Sequence, residues 1–338
     1  MIDFKEVLAR KKPVIWKEVQ NYLPKDGPFN FAEVVNEYPL RQGKYGRGCL
    51  VLLSCEAFGG NPEKAVKTAA AMQMSEDWLL VHDDFMDKSE ERRGKPALQK
   101  IYGNETAINA GDYLNLIMWK ALIDNFKILG NETALKIIKE FERFLDITIK
   151  GQHLELYTTF KTDLEKLEYS DFEKIAYGKS AEYTIAGPLR LGAIIAGKDD
   201  DTLRKLSEVG IPLGIGFQIR DDILNIVGKG SVYGKEIGGD IFEGKRTLLL
   251  IHLIKNTEGE ERNKVLEIMR KKREEKTNEE VEYIINLMKE KGSVEFAEKK
   301  AQEFAETARK KFNEYFSDIQ NKEEFEAAID FFTMKRNL

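Results

Sequence analysis

Residues 63–87 read EKAVKTAAAMQMSEDWLLVHDDFMD, a run without glycine or proline and rich in Ala, Met and Leu. Such a stretch favours one long helix. Helical spacing of apolar residues recurs at 44–58, 106–128, 132–160, 171–197, 201–227 and 244–255. Segment 44–58 is apolar almost all round, which marks a buried helix. From about 259 to 334 apolar residues recur at three and four between charges, as in EVEYIINLMKE, which predicts amphipathic helices with solvated faces. Alternating strand runs bounded by turn pairs are missing. Glycine and proline fall between the helical segments, and no linker or short repeat interrupts the chain. The expectation is one all-α domain over residues 1–338.

The long segment ends in three carboxylates, Asp83, Asp84 and Asp87. On a helix Asp83 and Asp87 are one turn apart and face the same way. They lie near the helix C-terminus, where the macrodipole disfavours acids and like charges at i and i+4 repel. A bound cation offsets both effects. Taken alone the cluster reads as a solvated acidic helix end. Yet Trp78, Leu79, Leu80 and Val81 just before it form a run that has to be largely buried, so the acids emerge from the core. A second cluster repeats the pattern in GIGFQIRDDILN, where Asp221 and Asp222 follow an apolar helical run and Asn225 comes one turn after Asp221. Asp240 follows in GGDIFEGKR. Two such clusters argue for one shared site. Oxygen ligands with few histidines and no thiol spacing point to Mg²⁺, which keeps waters and shares phosphate oxygens.

Basic residues accompany each cluster. Arg92, Arg93 and Lys95 follow the first; Lys235, Lys245 and Arg246 follow the second. Arg41, Lys44 and Arg47 precede a buried segment in LRQGKYGRG, and Lys179 and Ser180 interrupt an apolar helix. The chain carries a formal net charge of -5, so these groups read together as anion sites. Arginine grips phosphate in bidentate fashion and lysine supplies a point charge. The same acidic balance argues against a nucleic-acid partner. Cys49 and Cys55, six apart on one helix, face different ways and read as buried reduced thiols. No apolar run approaches the length of about 20 residues that a bilayer span requires. MIDFKEVLARKK lacks a signal-peptide apolar core. A cytoplasmic location is the expectation.

This constellation resembles the trans-isoprenyl diphosphate synthases. The first aspartate-rich motif of that family stands here as HDDFMDKSEERRG, the second as GIGFQIRDDILN, the GGKxxR motif as QGKYGRG, the KT pair as Lys179-Ser180, and GQxxDL as GQHLEL at 151–156. The elements after the second motif appear as YGKEIGGDIFEGKR. Order and spacing agree over roughly residues 40 to 250. The resemblance implies the all-α isoprenoid synthase fold, ten or more helices around a deep cavity, in a homodimer. It implies an enzyme that ionises an allylic diphosphate and joins the cation to isopentenyl diphosphate. Asp83, Asp87 and Asp221 would ligate three Mg²⁺ ions, with Asp84 and Asp222 helping directly or through water. Arg92, Lys179, Lys235 and Lys245 would hold the allylic diphosphate; Lys44, Arg47 and Arg93 would hold that of isopentenyl diphosphate. Gln152, Phe217 and Gln218 would line the reacting carbons.

Three positions depart from the family pattern. Glu76 stands where His or Gln is usual near isopentenyl diphosphate, an acid beside an anion. Asn225 replaces the last acid of the second motif, and Glu155 replaces the acid of GQxxDL with a longer arm. Trp78 and Leu79, five and four residues before Asp83, would point down the cavity and set product length. An aromatic followed by a non-aromatic there resembles enzymes that stop at geranylgeranyl or farnesyl diphosphate; geranylgeranyl is the expectation. His82 and His153 receive no catalytic role, and Lys335-Arg336 reads as a frayed basic tail. Two other readings are a terpene cyclase or head-to-head synthase, and a catalytically silent regulatory subunit. A cyclase needs no second anion site, which QGKYGRG and Arg93 supply; Glu76 and Asn225 are what favour a silent subunit.

Overall fold

A computed structural model describes residues 2–228 and 236–333. Lys235, Lys335 and Arg336 lie outside the described residues. The helices are α1 (Phe4–Gln20), α2 (Phe31–Arg41), α3 (Gly46–Ala57), α4 (Val66–Asp87), α5 (Leu98–Tyr102), α6 (Asn104–Asp124), α7 (Phe126–Lys161) and α8 (Tyr169–Ile175). A π-helical segment (Ala176–Ala186) runs on into α9 (Gly187–Ile195). There follow α10 (Asp200–Val227), α11 (Gly239–Glu243), α12 (Leu248–Lys255), α13 (Gly259–Arg270), α14 (Asn278–Glu290), α15 (Ser293–Tyr315) and α16 (Lys322–Thr333). Among the described residues the sheet content is one antiparallel pair, β1 (Glu91–Arg92) with β2 (Lys95–Pro96). The fold is all-α, as the helical periodicity requires.

Two differences from the periodicity are physical. Pro13 lies inside α1 and Pro39 inside α2, and both helices are absent from the sequence-based segments. The expected helix 171–197 is in fact α8, a wide π turn and α9. The stretch expected at 132–160 holds, because the span Phe126–Lys161 is kinked at Gly130, whose φ is 74° and ψ 168°, and its long helix starts after that kink.

Two apolar clusters fill the interior. One gathers α1, α3, α4, α6 and α16; the other gathers α8, α10, α12, α14 and part of α15. Helix α4 lies along α6, α3 against α9, and the π segment between α7 and α10. Small residues set the closest approaches. A Cβ on Gly151 of α7 would fall 2.3 Å from the carbonyl carbon of Gly178. One on Gly214 of α10 would fall 2.4 Å from the Cα of Ala181. The π segment is thus clamped backbone to backbone on both sides. That clamp brings the GQHLEL stretch, the Lys179-Ser180 pair and the second aspartate-rich helix to one place. Cys49 and Cys55 are buried and unbridged on α3.

Candidate active site

A cavity of about 1160 Å³ opens among α1, α3, α4, α7, the π segment, α10 and α16. Asp83 and Asp221 both line it, so the two aspartate-rich helices face one space.

The first wall comes from the end of α4, which stops at Asp87 where Lys88 turns left-handed at φ 55°. Carboxylate oxygens of Asp83, Asp87 and Glu155 lie within 4.8 Å of one another. Glu155 projects from α7, one turn from the Gly151 contact, and sequence reasoning did not place it among metal ligands. Its mark was visible, since it is the acid of GQHLEL. Two lysines balance the three acids. Lys179 lies 3.0 Å from Asp83 and pairs with Glu155 as well. Lys245 lies 2.8 Å from Asp87, 2.7 Å from Glu243 and 3.6 Å from Asp240. Burial pushes the Asp83 carboxyl up, but Lys179, Lys245 and Arg92 outweigh it and hold the group well below the usual carboxylate range. Asp87 goes the other way, to about 8, because burial and the nearby Asp83 and Glu243 outweigh the lysines. One group ionised and its neighbour neutral is what crowded carboxylates do without a cation.

The second wall is α10. Asp222 is buried and accepts a hydrogen bond from Gln218 Nε2 at 2.8 Å, while Gln218 accepts one from Ser180. Burial, Asp240 and Asp221 raise the Asp222 carboxyl. Asn225 does not carry charge toward the cavity. Its amide donates to the Glu236 carbonyl at 3.3 Å, and its oxygen accepts from the Asp240 backbone at 3.1 Å. This residue pins the returning chain so that Asp240 and Lys245 reach the site.

The basic groups follow from a tight turn. Between β1 and β2, Arg93 and Gly94 both take positive φ, 54° and 74°, the geometry of a type I′ hairpin. The turn folds Arg92 and Arg93 back over α4. Arg93 is a large side chain in a left-handed conformation, and it is held there by Asp77 at 2.8 Å and the Tyr38 carbonyl at 2.8 Å. Asp84 differs from its expected place. It is fully buried and does not line the cavity. Its oxygens accept from Arg92 Nε at 3.0 and 2.9 Å, from Arg92 Nη2, and from the Tyr38 hydroxyl at 2.6 Å. It therefore positions Arg92, whose guanidinium also comes within 3.8 Å of Asp83. Arg47 lies 3.2 Å from Glu76 and donates to the Thr184 hydroxyl at 3.0 Å. Arg93 lies 3.7 Å from Glu76. Lys44 lines the same end of the cavity.

Trp78, Leu79, Gln152, Phe217 and Gln218 line the cavity too. Trp78 is 8% exposed and meets the His82 ring edge-on at 6.3 Å. Phe217 meets Phe332 of α16 at 5.7 Å. Phe331, Phe332, Lys5 and Lys12 complete the lining from the two ends of the described chain; none of the four was a candidate in the sequence.

The polyprenyl synthetase family model matches residues 30–288. The chain belongs to the polyprenyl synthetase family. It is 34% identical over 266 residues to a geranylgeranyl diphosphate synthase of Saccharolobus solfataricus, covering 79% of this chain and 78% of that one. It is 31% identical over 305 residues to a geranylgeranyl pyrophosphate synthase of Geoglobus acetivorans, covering 90% and 91%. The crystal structure of geranylgeranyl pyrophosphate synthetase from Pyrococcus horikoshii is similar with a TM-score of 0.84 at 28% identity, covering 98% of this chain and 99% of that one. The fold is thus the isoprenoid synthase fold, and the protein is a short-chain trans-prenyltransferase. Polyprenyl synthetases depend on divalent metal, and the Asp83, Asp87 and Glu155 cluster supplies the hard oxygen donors that such an ion takes. No described helix is long and apolar enough to cross a membrane.

Proposed function

We propose that the protein condenses isopentenyl diphosphate with an allylic diphosphate and releases geranylgeranyl diphosphate. The observation that carries this reading is the single cavity onto which Asp83, Asp221, two cation groups and Trp78 all open. Asp83, Asp87 and Glu155 on one wall and Asp221 and Asp222 on the other would hold three Mg²⁺ ions. When bound, these ions supply positive charge to a departing diphosphate. Lys179, Lys245, Arg92 and Lys235 bind the allylic diphosphate, and Asp84 keeps Arg92 turned toward it. Lys44, Arg47 and Arg93 bind the diphosphate of isopentenyl diphosphate.

The allylic carbon–oxygen bond breaks, and the alkene of isopentenyl diphosphate forms the new carbon–carbon bond. The proton then lost goes to the departing diphosphate, so no protein base is required. Gln152, Gln218 and Phe217 face the cationic carbons. An aromatic face and oriented amide dipoles stabilise positive charge where water is excluded. Trp78 forms the floor that ends elongation. The protein acts in the cytoplasm as a homodimer. Leu116 and Ile123 on α6 and Ile149, Tyr157 and Phe160 on α7 are exposed apolar residues that a second copy would cover.

Purified protein is incubated with Mg²⁺, radiolabelled isopentenyl diphosphate and dimethylallyl, geranyl or farnesyl diphosphate in turn. Linear geranylgeranyl diphosphate is the expected product. Farnesyl diphosphate as end product corrects the length, cyclised hydrocarbon overturns the reading in favour of a cyclase, and no turnover overturns it in favour of a silent subunit.

A further inference from the structure

We propose that Lys12, on α1, is part of the grip on the diphosphate of isopentenyl diphosphate. This rests on the function proposed above and adds a residue from an element that lies outside the matched span 30–288.

The two arginines at this end of the cavity are already neutralised from within. Arg47 faces Glu76 at 3.2 Å, and Arg93 faces Asp77 at 2.8 Å and Glu76 at 3.7 Å. Two guanidinium groups and two carboxylates sum to no net charge. An incoming diphosphate therefore needs cations beyond this quartet.

Lys12 has the properties of one. It lines the cavity together with Gly43, Lys44 and Arg93. Its ammonium lies 5.3 Å from the centroid of the Tyr45 ring, which is buried at the start of α3. An aromatic face steadies a cation without neutralising it. Burial and then the neighbouring Arg93 push the Lys12 ammonium down from its ordinary range, and among the described residues no Asp or Glu is a cause of the shift. The adjacent Lys11 shows the contrast. It is buried away from the cavity and forms an ion pair with Glu56, so it holds α1 to α3. Consecutive lysines thus split the work, one fastening the helix and the other facing the cavity. The acid at position 76, where the family resemblance leads one to expect a neutral group, removes positive charge from the subsite. Lys12 restores it from α1.

The test uses the full chain and its Lys12→Gln and Lys12→Arg variants, with thermal melting as a check on folding. Calorimetric titration with isopentenyl diphosphate is expected to show about tenfold weaker binding in K12Q. K12R is expected to recover most of it. The KM for isopentenyl diphosphate is expected to rise in parallel, while that for farnesyl diphosphate moves less than about twofold, a split that general loosening of α1 would not produce. Equal affinity of wild type and K12Q for isopentenyl diphosphate overturns the proposal, as does an equal loss for both substrates. Wild-type protein that binds isopentenyl diphosphate without elongating any primer overturns the functional reading instead, and the calorimetric comparison still decides Lys12.

Discussion

On the proposed function, Trp78 is the residue on which product length would turn. Its indole fills cavity wall on α4 five residues before Asp83, and its side chain is tilted toward the helix N-terminus, away from the carboxylates. Trp78→Ala removes that bulk, and longer products are expected in chromatography of the radiolabelled chains; an unchanged distribution would mean the floor lies elsewhere. Asp77, next to it, is a different kind of residue. Its carboxyl is fully buried, and burial, with Glu76 adding to it, raises it to about 6 against the pull of Arg93. A carboxyl raised in the folded state stabilises the fold below its unfolded value, and that contribution is lost as pH rises through the folded one. Wild type is therefore expected to lose roughly 3 kcal/mol relative to Asp77→Asn between about pH 4 and pH 7. Urea denaturation of both proteins across that window measures it. A gap that does not change with pH would show that Asp77 stays ionised throughout.

The elements differ in how openly the sequence announced them. The run at 63–87 and its carboxylates declared α4, and the apolar stretch before Asp221 declared α10, because their periodicity is uninterrupted. Helices α1 and α2 were hidden by Pro13 and Pro39, which break the pattern that tertiary packing then restores. The π segment has no residue signature, since its wider hydrogen bonding is imposed by the helices on either side. Glu155 was legible as the acid of a motif, but its approach to Asp83 depends on how α7 meets the π segment. Asp84 looked like its neighbours Asp83 and Asp87, and only the hairpin at Arg93-Gly94 explains why it serves Arg92 instead. The Gly151 contact gives a prediction at this scale. Gly151→Ala places a methyl against the Gly178 backbone, where neither side chain nor rotamer can yield. A loss of about 1–3 kcal/mol in denaturant unfolding is expected, with a fall in kcat as Glu155 and Lys179 move apart. Full stability and activity would show that the clamp is not needed.

At the scale of the molecule, two helices distant in sequence deliver acids to one space, and lysines from two further segments pair with them. Lys179 and Lys245 now answer Asp83, Glu155 and Asp87. On the proposed function the same lysines would turn to the diphosphate, so charge would be exchanged and not created as the substrate enters. The most direct measurement is a crystal structure of the protein with Mn²⁺ and an allylic thiolodiphosphate that resists ionisation, with the metals located by anomalous scattering. Metal density is expected on both walls, against Asp83 and Asp87 and against Asp221, joined through one diphosphate. Metal on a single wall, or a diphosphate bound away from the cavity that both walls share, would contradict it.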